Sequence, residues 1–89
     1  MLVARVWIPM PLRDLSMGQE IVDVAARNVR QVVEELEALF PGVKERLCHG
    51  NGLRPGLAVA VDGQLANLGL LHPVGPESEV HFYPAIGGG

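Results

Sequence analysis

Apolar side chains recur at every second position near the start of the chain, which is the pattern of a half-buried strand. In residues 2–8 the even positions are all apolar, whereas Arg5 interrupts the odd ones. Pro9 and Pro11 lack the backbone N–H that a strand ladder needs, so the segment up to residue 18 is predicted to be a long loop. Alternation resumes over residues 19–25 and predicts a second strand, paired with the first as a hairpin.

The apolar period then changes to 3.6 residues, which predicts one main helix. Asn28 is suited to cap its start, with Gln31 in the capping-box position, and Pro41-Gly42 supplies the stop. The charged residues of the opposite face are interpreted as a solvated surface, and residues 43–47 as a short further turn of helix. The apolar stripe consists of Val29, Val32, Val33, Leu36, Leu39 and Phe40.

The second half of the chain is punctuated by turn residues between short apolar runs. Residues 48–55 are predicted to be a loop, and the alternation over residues 57–61 predicts a third strand. Asp62-Gly63 is a strong hairpin signal after that strand. A short strand is expected around residues 66–70, and the last strand is expected over residues 79–85.

This order of elements predicts an α+β roll, in which one helix lies across one face of a four- or five-stranded mixed sheet. The first and last strands are the most continuously apolar, so we expect them to be central. With 89 residues the chain is long enough for one domain. We assign residues 1–86 to that domain and residues 87–89 to a flexible glycine tail.

Composition and charge exclude several classes of protein. The chain is 48% apolar and only 19% charged, which is typical of a globular domain. Its net charge is −3 and its basic residues are scattered, so neither nucleic acid nor an anionic membrane is an expected partner. Cys48 is the only cysteine and no apolar leader segment precedes the first strand, which favours a cytoplasmic location.

Side chains offer little that is suited to catalysis. The sequence lacks a recognisable pair of catalytic carboxylates, a nucleophile elbow and a phosphate-binding glycine loop. Cys48 and the three histidines lack the paired spacing of metal ligands, so we expect no bound metal or cofactor. The glycines at 87–89 are not explained by folding, because a tail without side chains has nothing to pack and a large entropic cost of ordering. They provide a thin peptide that ends in a carboxylate and fits a narrow tunnel, unless the tail is incidental.

Residues 79–89 resemble the closing signature of the MoaD/ThiS family of β-grasp, ubiquitin-like sulfur carriers. The shared features are an acidic residue, an apolar strand, a proline, small residues and a terminal diglycine. Residues 11–15, 40–47 and 59–63 are similar to family features in the same order, so the likeness spans nearly the whole chain.

Two departures from the family pattern accompany this resemblance. The usual Gly-Asp-Glu-Val turn before the last strand is replaced by Pro76-Glu77-Ser78-Glu79-Val80, and a third glycine is present. The extra residue leaves open whether Gly88 or Gly89 is the working terminus.

The resemblance implies that an E1-like enzyme adenylates the Gly89 carboxylate with ATP and Mg²⁺, and that a persulfide donor converts the adenylate to a thiocarboxylate. The chain is then a non-catalytic co-substrate that binds no cofactor itself. We expect the small subunit of molybdopterin synthase, with a large catalytic subunit as a further partner. Carriers for cysteine, thiamin or tRNA thiolation, a ubiquitin-like protein modifier and a β-grasp interaction module are the alternatives.

We expect partners to dock on the sheet face opposite the helix, where an uncovered face leaves apolar residues available. Trp7 and Tyr83 both occupy strand positions that can face away from the helix. The residues assigned to partner binding are Arg5, Phe82, Tyr83, Pro84, Ile86 and Gly87, with Gly88 and Gly89 as the reacting end.

Overall fold

A mixed sheet of five strands with one long helix on one face accounts for most of the chain, as the apolar periods predict. The computed structural model describes residues 3–84. In chain order its elements are β1 (Ala4–Trp7), β2 (Ile21–Val24), α1 (Val29–Leu39), α2 (Val43–Leu47), β3 (Cys48–His49), β4 (Gly52–Leu53), β5 (Leu57–Val61), β6 (Gln64–Leu65) and β7 (Glu79–Pro84).

The strand order in the main sheet is β2-β1-β7-β5-β6. β7 pairs with β1 in parallel and with β5 antiparallel, so the sheet is mixed. Both β1 and β7 have a neighbour on either side, which confirms that the first and last strands are central. A parallel pair requires a long crossover, and the chain uses that connection to place α1 across the sheet.

The core lies between α1 and the sheet. The even positions of β1 are buried there, with Ala4 at 1% and Val6 at 0% exposure. The helix contributes most of the predicted stripe, but Leu39 is 53% exposed, so its assignment to the core was wrong. At 100° per residue, Leu39 lies about 80° from the centre of the stripe, whereas Phe40 lies close to it and is buried.

Helix α1 begins where the sequence predicts. The Asn28 side chain accepts a hydrogen bond from the Gln31 backbone N–H at 2.8 Å. The Gln31 side chain accepts from the Arg27 N–H at 2.7 Å, one residue before the position that a capping box would use. Gly42, with φ of 105°, marks the break between α1 and α2, which confirms the predicted stop.

Two predictions for the second half of the chain are corrected by the structure. The segment expected to be a loop contains the β3–β4 hairpin. The strand expected around residues 66–70 lies instead at β6, and a 3₁₀ turn occupies Gly69–Leu71. Asp62 and Gly63 both have positive φ, 52° and 83°, and form a two-residue turn, so the returning strand begins at once.

Asp62 also ties this turn to the start of β7. Its carboxylate accepts hydrogen bonds from the Ser78 hydroxyl at 2.8 Å and from the Glu79 N–H at 2.9 Å. The Ser78 oxygen accepts a further bond from the Gly75 N–H at 2.9 Å, and Ser78 is only 4% exposed. The segment that departs from the family turn is therefore held in place by its own polar network.

We predict that Asp62→Ala lowers the free energy of unfolding by about 2 kcal/mol, because it removes two hydrogen bonds and places alanine at a left-handed φ. Urea denaturation measures the change. Asp23→Ala is the matched control, since its exposed ion pair with Arg5 is expected to contribute less than about 0.5 kcal/mol. Equal losses in the two variants would contradict the role assigned to Asp62.

Candidate functional site

The sheet face opposite α1 is the candidate site, because the helix leaves it uncovered. Side chains alternate along each strand, and residues paired in register point to the same face. Val6 and Val80 are a buried pair on the core side, so the residues before and after each of them along its strand point outward. This outward surface, the open face, is formed by Arg5, Trp7, Ile21, Asp23, Ala58, Ala60, Leu65, Glu79, His81 and Tyr83.

A row of mostly apolar residues crosses all five strands of the open face. Strand register places Ile21 beside Trp7, Trp7 beside His81, His81 beside Ala60, and Ala60 beside Leu65. The rings of Trp7 and His81 are stacked, with centroids 4.3 Å apart and planes inclined by 19°. At the two ends of the row, Ile21 is 44% exposed and Leu65 is 58% exposed. An apolar row with exposed ends makes the open face a candidate binding surface.

A charged row lies on one side of the apolar row. The Arg5 Nε atom is 3.3 Å from the Asp23 carboxylate, and Arg5 is paired in register with Glu79. Because β7 runs from Glu79 to Pro84, the charged row lies farther from the C-terminus than the apolar row. The open face thus has an apolar part toward the tail and a polar border behind it.

The structure brings only some of the predicted partner residues onto this face. Arg5 and Tyr83 are exposed there, and Tyr83 is paired with Ala58. Phe82 is 4% exposed, because strand alternation places it beside Val80 on the core side. We therefore withdraw the Phe82 side chain from the predicted partner surface.

The remaining predicted residues belong to the chain end. Pro84 is the last described residue and is the final residue of β7, opposite Leu57. Ile86, Gly87, Gly88 and Gly89 lie outside the described residues, as does the predicted domain boundary after residue 86.

Sequence reasoning pointed to Trp7 but missed three other members of the apolar row, Ile21, Ala60 and Leu65. Ile21 was placed in a strand, and its alternation with the buried Val22 and Val24 was the signal that it faces outward. Leu65 had no such signal, because the strand that carries it was expected further along the chain.

A cavity of about 430 Å³ lies on the other side of the molecule, against α1. Its lining includes Cys48, Arg30 and Lys44, and the Lys44 ammonium is 2.8 Å from the Glu34 carboxylate. Burial raises the pKa of the Cys48 thiol, with Lys44 acting more weakly in the opposite direction. The thiol is therefore mostly protonated at neutral pH and is a poor nucleophile.

Residues 3–84 contain neither a metal-binding cluster nor a membrane-spanning helix. Their histidine, cysteine and carboxylate side chains do not form a group of three that could hold a metal ion. In the same range, each helix is too short or too polar to cross a membrane.

Solved structures share this fold over nearly their whole length. A chain of the Amycolatopsis orientalis BexX/CysO complex is 26% identical, with a TM-score of 0.88, covering 97% of this chain and 99% of that one. Mycobacterium tuberculosis CysO is also 26% identical, with a TM-score of 0.84 and coverage of 93% and 99%. SAMP1 from Haloferax volcanii has a TM-score of 0.77 at 19% identity, with coverage of 98% and 99%.

Among curated protein sequences, none matches the chain significantly. A family model does match it: the model of the ThiS family covers residues 6–89, from within β1 through the glycine tail. The five-stranded sheet and its single long helix form the β-grasp fold that the CysO structures share. The chain therefore belongs to the ThiS family of ubiquitin-like sulfur carriers, the family that its C-terminal residues resemble.

Proposed function

We propose that this protein carries sulfur as a thiocarboxylate on Gly89. The observation that carries the proposal is the match to the ThiS family, which includes the whole glycine tail. ATP converts the Gly89 carboxylate to an acyl adenylate and releases pyrophosphate. The terminal sulfur of a persulfide displaces AMP to give an acyl disulfide, and a thiol then cleaves its S–S bond, forming a disulfide with the donor and leaving the thiocarboxylate.

In this proposal the carrier contributes geometry and its partner supplies the chemistry. An E1-like enzyme provides ATP, Mg²⁺ and the groups that stabilise the adenylate, so this chain needs no side-chain machinery or cofactor of its own. Glycine lets the end of the chain pass through a channel that side chains would block, and lets it adopt φ values that a Cβ disfavours.

The position of β7 fixes where the C-terminal segment begins. Both edges of the strand are hydrogen-bonded, and its start is fixed by Asp62 and Ser78. Five residues follow Pro84, and a fully extended segment of that length spans about 17 Å. A protein that binds the open face therefore meets the terminus within about 17 Å of the end of β7.

The open face provides the docking surface in this proposal. Its apolar row is suited to the desolvated centre of an interface, with the stacked Trp7 and His81 in the middle. Arg5 lies at the polar border, where charges set orientation and the rate of association. Tyr83 lies nearest the tail and adds a further aromatic contact.

Within the ThiS family, we place the carrier in molybdopterin synthesis, as the small subunit whose tail enters a large catalytic subunit. The likeness to CysO supports a second candidate, a carrier that serves cysteine synthesis. As a protein modifier, the chain is poorly suited to polymeric tagging but permits single conjugation, because copies can be linked only through Lys44, the sole lysine, or through the N-terminus.

The proposed role of the terminus is tested by mass spectrometry. Incubation with the organism's adenylating enzyme, ATP, Mg²⁺ and a persulfide donor is expected to raise the intact mass by the replacement of one oxygen with sulfur. Tandem mass spectrometry is expected to place the sulfur on Gly89. A variant lacking Gly88 and Gly89 is the control and is expected to remain unmodified. An unchanged wild-type mass, with an enzyme active on another carrier, contradicts the proposal.

The pathway is tested with the thiocarboxylated protein. Incubation with the large subunit of molybdopterin synthase and its pterin precursor is expected to return the carrier to its original mass. If the carrier keeps its sulfur in that mixture but loses it in the presence of a cysteine-forming synthase, the second candidate is favoured.

Docking on the open face gives another prediction. Arg5→Glu combined with His81→Glu is expected to weaken binding to the adenylating enzyme about tenfold, because both changes place negative charge on the interface. Isothermal titration calorimetry measures the affinity, and thermal unfolding checks the fold. Glu35→Lys, on the exposed side of α1, is the control and is expected to leave the affinity unchanged. Unchanged binding in the double variant contradicts docking on this face.

A further inference from the structure

Residues 9–20 of the connection between β1 and β2, here called the methionine loop, expose two methionines to solvent. Met17 is 82% exposed and Met10 is 73% exposed, more than any other large apolar side chain in residues 3–84. The two leucines of the loop are packed, since Leu12 is buried and Leu15 lies against the core. The two methionines therefore differ from the leucines of the same loop, which turn toward the core.

Strand register places this methionine loop at the end of the sheet where β7 finishes. Trp7 lies opposite His81 in the parallel pair, so the chain leaves both strands at the same end. The loop returns through Ile21, which is paired with Trp7 at the margin of the apolar row. The methionine loop is thus continuous with the open face and adjacent to the strand that leads to the tail.

Hydrogen bonds hold the loop in one conformation. Ser16 is completely buried, and its hydroxyl donates to the Gln19 carbonyl oxygen at 2.9 Å, with the Arg13 carbonyl at 3.3 Å. The Gly18 N–H also donates to the Arg13 carbonyl, at 2.7 Å. A loop fixed in this way presents Met17 in a defined position.

Met17 has a backbone conformation that its residue type disfavours. Its φ is +56°, in the left-handed region, and the following Gly18 has φ of +81°. Glycine would adopt this turn without a Cβ penalty, and the exposed Met17 side chain contributes no burial in return. Folding therefore does not account for a methionine at this position, and strained residues of this kind concentrate at functional sites.

The charged groups of the loop are paired within the chain. Arg13 lies 3.6 Å from the Glu20 carboxylate, and Arg46 of α2 lies 4.0 Å from that of Asp14. Because these charges are compensated within the chain, the exposed methionine side chains are the groups that the loop offers for an apolar contact, and we expect the complementary surface to be apolar.

We propose that Met10 and Met17 insert into an apolar pocket of the protein that activates the C-terminal carboxylate, an inference that rests on the proposed function. Residues 85–89 extend no more than about 17 Å beyond β7, so that protein must approach this end of the molecule. Methionine is flexible and polarizable and adapts to pockets of different shape. It suits a carrier that docks first on an activating enzyme and then on a sulfur acceptor.

The test combines Met10→Ser with Met17→Gly and measures binding to the organism's adenylating enzyme by calorimetry. We expect the Kd to rise about tenfold, as for the loss of anchor residues at an interface. The melting temperature is not expected to fall, because both side chains are exposed and glycine accepts the left-handed φ. The matched control is Leu68→Ser with Leu71→Ser, which removes side chains that are 63% and 72% exposed in and beside the 3₁₀ turn that packs against α1.

A weakened methionine variant, with the leucine control binding like the wild type, supports the inference. Wild-type affinity in the methionine variant, while the wild-type chain still gains sulfur, overturns the inference and leaves the proposed function intact. Equal weakening by the leucine control also overturns it, because the effect is then not specific to the loop. If the wild-type chain neither binds nor gains sulfur, the proposed function and this inference fail together.

Discussion

The pairing of β7 with β1 on one edge and β5 on the other is the constraint on which the rest of the structure depends. Without it, the β1–β2 and β5–β6 hairpins have no common partner and α1 has no continuous surface to cover. The strand that precedes the tail is therefore the centre of the sheet rather than an appendage. Its pairing joins residues far apart in sequence, so the position from which the tail leaves is set only when the whole domain has folded.

Local patterns were sufficient to predict the elements that depend on local chemistry. The 3.6-residue period and the Asn28 cap located α1, and the alternation of β1 identified the side that is buried. The predicted position of the strand now called β6 was wrong, because the backbone of a turn sets where that strand begins. It starts directly after two residues of positive φ. Leu39 shows a related error, because an apolar residue at the margin of a helical stripe can remain exposed.

The candidate site was only partly predictable, because it is a product of register. The apolar row takes one residue from each of five strands, and four pairings must be known before its members can be recognised as neighbours. In β7 both sets of alternate residues include aromatic side chains, so alternation alone did not separate the buried Phe82 from the exposed Tyr83. Strand pairing supplied the distinction.

The stack of Trp7 on His81 has a practical consequence. Trp7 is the only tryptophan in the chain and lies in the middle of the open face. Its indole emission reports on the polarity of that surface and on contact with the imidazole beside it. The protein thus carries an intrinsic fluorescent probe at the centre of its proposed docking surface, so association at this face can be followed in real time without an attached dye.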